Sequence, residues 1–120
     1  MAQITQERLV DGVLKVMDRA GLEGVTMRAV AAELGVRAPS LYFHVADRAA
    51  LVDLVADALV PPVDAATLAA LAKGTGPRWR RMLRGLAITR RTHLLAHRDS
   101  ARLLLGRLPT GPRALAATGL

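Results

Sequence analysis

No cysteine occurs in the sequence, which rules out a disulfide framework and a thiolate metal site and fits a reducing compartment. Aromatic residues are almost as scarce, with Tyr42, Phe43 and Trp79 as the whole complement. Long apolar runs are missing too. The longest, Ala49 to Val60, is interrupted by Asp53 and Asp57 and is too short to span a bilayer. The N-terminal Met-Ala-Gln-Ile-Thr-Gln-Glu has neither the basic start nor the apolar stretch of a secretion signal, so a cytoplasmic chain with no membrane partner is expected. Only Ser40 and Ser100 could act as serine nucleophiles, neither has an obvious base, and no glycine-rich phosphate loop occurs. The sequence therefore does not read as an enzyme. His93 and His97 lie one helical turn apart, but two imidazoles without a third ligand do not define a metal site, and no metal or other cofactor is expected.

Acidic residues are scarce in one half only. Residues 61–120 hold eleven Lys/Arg against two Asp/Glu, whereas residues 1–60 hold six against eight. The formal charge of +7 thus sits entirely in the second half. Any affinity of the first half for a polyanion must come from a few well-placed groups rather than from a general positive field.

What is present is a core-forming composition, 52% hydrophobic and 22% charged, arranged with helical periodicity. Thr5 can cap a first helix whose apolar positions Leu9, Val13, Met17 and Ala20 recur at spacings of three and four, and Gly21 stops it, with Gly24 a second flexible point. Thr26 caps a second helix carrying Val30, Ala31 and Leu34, closed by Gly35. Pro39 suits the first turn of a third helix, at about residues 38–44, which carries Ser40, Leu41, Tyr42, Phe43 and His44. Asp47 caps a fourth, with Leu51, Leu54, Val55, Ala58 and Leu59 facing inward before Pro61-Pro62 ends it. A short helix from Ala65 to Lys73, a Gly74-Thr75-Gly76-Pro77 break and a long helix from about Pro77 to His97 follow. The long helix carries Trp79, Met82, Leu83, Leu86, Leu94 and Leu95. Asp99 or Ser100 then caps a shorter helix through Leu105, and Pro109 with the Gly111-Pro112 step marks the start of another.

The second and third helices form the informative corner. Two helices crossing steeply need a small side chain at their closest approach, which Ala31 supplies, and a residue tolerant of positive φ between them, which Gly35 supplies. Leu41 then packs the third helix inward. Small, glycine and apolar residues at offsets of four and six are the helix-turn-helix pattern, although an ordinary helical corner uses the same sterics.

The stretch Gly21-Leu-Glu-Gly-Val-Thr-Met-Arg-Ala-Val-Ala-Ala-Glu-Leu-Gly-Val-Arg-Ala-Pro-Ser-Leu-Tyr-Phe-His-Val, followed by Asp47-Arg-Ala-Ala-Leu-Val, resembles the tetracycline-repressor (TetR) family over about residues 4–60. A weaker similarity continues through Trp79-Arg-Arg-Met-Leu-Arg and His97-Arg-Asp-Ser-Ala-Arg-Leu. The resemblance implies an all-α protein: a three-helix, homeodomain-like helix-turn-helix head at residues 1–46, a connecting helix at 47–62, and part of a helical ligand-binding and dimerisation domain at 63–120. Complete members are longer, so a truncated product or a fragment is expected. The implied function is sequence-specific binding to a double-stranded DNA operator by a homodimer, relieved by a small-molecule effector. A helical protein-interaction module is the alternative.

Carried onto this chain, the resemblance places Leu41 to His44 on a helix entering the major groove. Arg28 can donate two hydrogen bonds to guanine O6 and N7, with a solvated helix charge as its bland alternative. Ala38 and Pro39 offer only apolar contact, and Ala38 stands where relatives often carry a longer polar side chain. Ser40, Tyr42, His44 and Arg48 offer donors for phosphate oxygens, and Thr26 adds its hydroxyl and the amides of the helix it caps. Phe43 serves either the interface or the small core. Met82, Leu86, Arg90 and Leu104 are the candidate effector contacts. The resemblance puts Asp64, Leu86, Arg90 and Leu104 where the tetracycline repressor makes drug and metal contacts, and Leu86 and Leu104 cannot serve that polar ligand. An effector other than magnesium-tetracycline is expected, apolar or, given Arg90 and Arg91, acidic; the two arginines otherwise form a solvated face.

Overall fold

The computed structural model describes residues 3–105, 107 and 111–117. Every regular element among them is helical: α1 (Gln6–Ala20), a 3-10 turn (Leu22–Gly24), α2 (Met27–Glu33), α3 (Ala38–Tyr42), α4 (Arg48–Ala58), α5 (Ala65–Ala72), α6 (Arg78–Leu95), α7 (Ser100–Leu104) and α8 (Pro112–Ala117). The expected starts are met because they depend on short-range chemistry. Thr5 accepts from Arg8 N–H at 3.2 Å, Thr26 from Ala29 N–H at 3.0 Å, and Asp47 from Ala50 N–H at 2.8 Å, each satisfying an amide that the helix cannot. Asp64 caps α5 in the same way, accepting from Thr67 N–H at 2.7 Å. Gly21 follows α1 at φ 75°, and its N–H closes that helix on Met17 O at 2.8 Å.

One core gathers α1 to α4. Leu9, Val13, Val16 and Met17 of α1 meet Val30 and Ala31 of α2, Leu41 of α3, and Leu51, Val52 and Val55 of α4. The apolar stripes depart from expectation at several places: Ala20 is exposed while Val16 is buried, and Val52 is buried while Leu54 and Ala58 are only half-buried. Each shift follows from the 100° step of the helix, which leaves the edge of a stripe undetermined until a partner covers it. Leu103 of α7 joins this core at 2% exposure, the one buried apolar side chain described beyond Pro61.

The second half is thinner. α5 and α6 pack together, closely enough that Gly85 has no room for a Cβ beside Leu71, yet neither helix buries a residue fully. The long helix ends at Leu95 rather than His97. Trp79, Leu83 and Leu95 on its expected apolar line are exposed, and Met82, Leu86 and Leu94 are half-buried. Asp99 occupies the cap position of α7 but makes no side-chain cap there. Its carboxylate accepts from Leu22 N–H at 2.9 Å instead, and Ser100 Oγ–H turns inward to Leu94 O. That tertiary use overrides the local capping preference. Pro109 lies outside the described residues, whereas α8 begins at Pro112 as expected.

The uneven charge has a structural meaning. Carboxylates of the first half face basic groups of the second: Asp18 accepts from Arg98 N–H at 2.9 Å and pairs with His97 Nδ1 at 2.9 Å, Glu23 pairs with Arg102 at 2.5 Å, Asp53 pairs with Arg107, and Asp57 accepts from Arg113 N–H at 3.0 Å. Partial desolvation pushes the Asp18 carboxyl up, but the hydrogen bonds from His97 and from Arg98 N–H, with the His97 charge, outweigh it and leave the group below its ordinary value of 3.8. A depressed folded value means that the ionised carboxylate contributes stability above 3.8, which is lost as pH falls through that depressed value.

Two outcomes are expected. Leu41→Ala, at 0% exposure, should lower the unfolding free energy by roughly 2–5 kcal/mol in urea titrations. Asp18→Asn should flatten the loss of thermal stability below pH 3.8, and an unaltered acid limb would show that the Asp18 contacts do not form in solution.

Candidate nucleic-acid interface

The corner brings the expected surface together. Ala31 is 2% exposed beneath α3, and Gly35 turns the chain at φ 70°, a backbone conformation that a side chain would strain. Leu34 N–H bonds Val30 O at 3.0 Å and Val36 N–H bonds Ala31 O at 2.9 Å, so the turn between α2 and α3 satisfies its own amides. With Leu41 driven inward, the opposite side of α3 faces outward: Pro39 and Ser40 are exposed, Tyr42 is 51% exposed and Phe43 is 90% exposed. The option of Phe43 as a core residue is thereby overturned, since the core behind α3 is filled by Leu41 and Val45. The helix is also shorter than its expected span of 38–44. It ends at Tyr42, and Phe43 and His44 leave it with His44 N–H on Leu41 O at 2.9 Å.

Thr26 and Arg28 stand exposed at the start of α2. Thr26 Oγ1 already accepts from Ala29 N–H, which leaves its hydroxyl proton for an outside acceptor. Arg28 has no hydrogen bond or ion pair among the described residues. Ala38 is half-buried against the core and His44 is exposed. Arg48 is placed differently from expectation: its Nε donates to Val25 O at 2.6 Å and its Nη2 to Leu22 O at 2.9 Å, so much of the fork faces the protein rather than a phosphate. Arg37 was missed. It sits exposed at the cap position of α3 without an ion pair among the described residues. The sequence signal for it was weak, because Glu33 stands four places before it and suggests a local ion pair, whereas in the structure Glu33 pairs with Arg19.

The acidic residues of the first half lie elsewhere. Besides the carboxylates facing the second half, Asp11 pairs with Lys15 at 3.0 Å, Glu33 with Arg19 at 3.1 Å, and Asp47 caps α4. Arg28, Arg37, Ser40, Tyr42, Phe43 and His44 are thus exposed donors and aromatic surface on and beside the α2–α3 corner, while the carboxylates of Glu33 on α2 and Asp47 at the start of α4 are already engaged.

The candidate effector residues are less well assembled. Met82 and Leu86 are half-buried along α6, Leu104 is half-buried on α7 and Arg90 is exposed. A separate open cavity of about 800 Å³ lies between α1 and α4, lined by Gln6, Val10, Leu14, Leu54 and Asp57 with Arg113 of α8 at its edge. Among the described residues no group of three or more His, Cys, Asp or Glu could hold a metal ion, and no helix is long and apolar enough to cross a membrane. His93 Nδ1 bonds Thr89 O and His97 Nδ1 faces Asp18, so each imidazole has its own partner.

A three-helix head with an inward Leu41 and an outward Tyr42 defines a helix-turn-helix protein. Residues 9–55 match the family of bacterial regulatory proteins described as the tetR family. The chain is similar to the tetracycline repressor protein class D of Escherichia coli, 34% identical over 109 residues that make up 91% of this chain and 48% of that protein. Its fold is similar to that of the TetR family protein ActR of Streptomyces coelicolor in complex with (S)-DNPA, with a TM-score of 0.82 and 34% identity over 99% of this chain and 56% of the other. It is also similar to BioQ with its natural double-stranded DNA operator, with a TM-score of 0.65 and 30% identity over 85% of this chain and 57% of the other. The chain belongs to the TetR family, and it spans about half the length of the curated relatives it matches.

Removing the Arg28 fork should separate base reading from anchoring. Arg28→Ala is expected to weaken a selected duplex by roughly 1–3 kcal/mol and to relax preference at one base position, measured by titration against a panel of single-base variants. Arg37→Ala is expected to weaken all duplexes alike and to lower the salt slope by about one.

Proposed function

We propose that the chain is the DNA-reading part of a ligand-responsive TetR-like repressor, cytoplasmic and working as a homodimer on a double-stranded DNA operator. The observation that carries this reading is the outward patch of Arg28, Arg37, Ser40, Tyr42 and Phe43 on a corner whose carboxylates are engaged elsewhere. Residues 1–46 act as the head, with α3 in the major groove and Thr26, Ser40, Tyr42 and His44 on phosphates. Residues 47–62 connect it to the helices of 63–120. Ala38 and Pro39 supply close apolar approach rather than polar readout. One small head buries too little DNA for tight specific binding, so two heads at fixed spacing on a pseudo-palindrome account best for function.

BioQ with its operator and ActR with its small molecule support the two halves of the reading, DNA binding and effector binding. The effector site takes Met82, Leu86, Arg90 and Leu104, whose apolar and cationic character fits an apolar or acidic molecule better than magnesium-tetracycline. Binding there shifts the spacing of the heads and lowers affinity for DNA. The exposed Trp79, Leu83 and Leu95 of α6 are what a protein-interaction module would also show.

Selection of bound duplexes from a random pool, paired with sedimentation, separates these readings. Recovery of a pseudo-palindrome with two chains per duplex is expected, whereas no retention of any duplex at low salt would favour the interaction module.

A further inference from the structure

The backbone of Leu22 is held at its N–H and at its carbonyl by side chains that sequence patterns alone assign to other tasks. Its N–H donates to Asp99 Oδ2 at 2.9 Å, across 77 residues of sequence. Its carbonyl accepts from Arg48 Nη2 at 2.9 Å, while Arg48 Nε donates at 2.6 Å to Val25 O. Val25 immediately precedes Thr26, the cap of α2, and Arg48 is the first residue of α4. A set of hydrogen bonds therefore runs from the α6–α7 turn, through the backbone of one residue of the 3-10 turn, to the start of α2 and of α4.

Two further features show that this grip is built. Asp99 is the one described non-glycine residue at positive φ, 59°, a conformation that Asp tolerates but that persists where the surroundings demand it. Arg102 stands behind its carboxylate, with Nη1 at 3.8 Å from Asp99 Oδ2 and Nη2 at 2.5 Å from Glu23 Oε1 on the same 3-10 turn. Gly21 leaves the approach open, since a Cβ there would lie 3.0 Å from Asp99 Oδ2. The bonds from Arg48 are charge-assisted on the donor side, and that to Asp99 on the acceptor side, so each is stronger than a neutral peptide bond pairing.

We propose that Asp99 and Arg48 are positioning residues that clamp the backbone of Leu22, one at its N–H and the other at its carbonyl, and so fix the reading helix relative to the second half of the chain. The inference rests on the DNA-binding reading for its consequence, though the clamp itself is a statement about the folded chain. Arg48 acts through protein carbonyls and not as a phosphate anchor.

The test uses the 120-residue chain, its duplex from the random-pool selection, and the variants Asp99→Ala, Asp99→Asn, Arg48→Gln and the double variant Asp99→Ala/Arg48→Gln. Well below their melting temperatures, Asp99→Ala and Arg48→Gln are each expected to lower affinity about tenfold with unchanged base preference and salt slope. The double variant should cost no more than the worse single one, because either break frees the same residue of the 3-10 turn. Asp99→Asn keeps an acceptor for Leu22 N–H and should retain most of the affinity. A salt slope lowered by about one in Arg48→Gln, or strictly additive losses, overturns the proposal. If the parent chain binds no duplex, the functional reading fails separately. The clamp is then decided by hydrogen exchange: faster exchange of the Leu22 amide in both single variants upholds it, and unchanged exchange in either overturns it.

Discussion

The insertion of Leu41 into the core between α1 and α2 is the constraint on which the rest of the molecule depends. A five-residue helix such as α3 has too few internal hydrogen bonds to hold itself together in water. Its conformation is imposed by burial of one side chain and by the turn at Gly35. Once Leu41 is inside, the geometry of a helix leaves Ser40, Tyr42 and Phe43 no direction but outward. The functional surface is thus the reverse face of a packing decision, and Ala31 and Gly35 matter because they let α2 come close enough for that decision to be made.

Charge distribution follows a second logic. A positive chain of this size invites the assumption that its basic residues meet nucleic acid, yet most of the basic excess lies on the second half, where Arg102 and Arg107 face Glu23 and Asp53. The two halves are of opposite sign and meet along carboxylates contributed by the head. Such exposed pairs are each worth little in water, which makes the seam a guide to orientation more than a source of stability. It also removes acidic groups from competition with Arg28 and Arg37, so that a head of net negative charge can still present a cationic patch.

The sequence made the local features readable and left the long-range ones dark. Thr5, Thr26 and Asp47 cap amides only three residues away, and Gly35 punctuates a turn of a few residues, so their roles can be read from neighbours alone. Asp99 has the same appearance as those caps, but its partner lies at Leu22, and no local pattern announces a contact across 77 positions. Arg48 misleads for a related reason. Its place after the reading helix suits a phosphate donor, and only the fold shows two protein carbonyls within reach. Phe43 was ambiguous because an aromatic serves core and interface equally well on paper. The effector residues are the least legible, since a pocket is a property of several helices at once and Met82, Leu86, Arg90 and Leu104 share no local signature.

Among the described residues the two halves are joined by Leu103 and Leu104, packed against the head core, and by polar contacts of unequal worth. Leu103 enters the head core at 2% exposure and Leu104 packs half-buried against it, which together supply the apolar burial. The Arg102–Glu23 pair is exposed at both ends and yields easily. The part-buried Leu22 amide is different, because losing its acceptor would strand a donor away from water, at a cost of about 1–3 kcal/mol. Of these polar contacts the Leu22 N–H to Asp99 bond is therefore the one whose loss costs most, and it outweighs the number of exposed salt links.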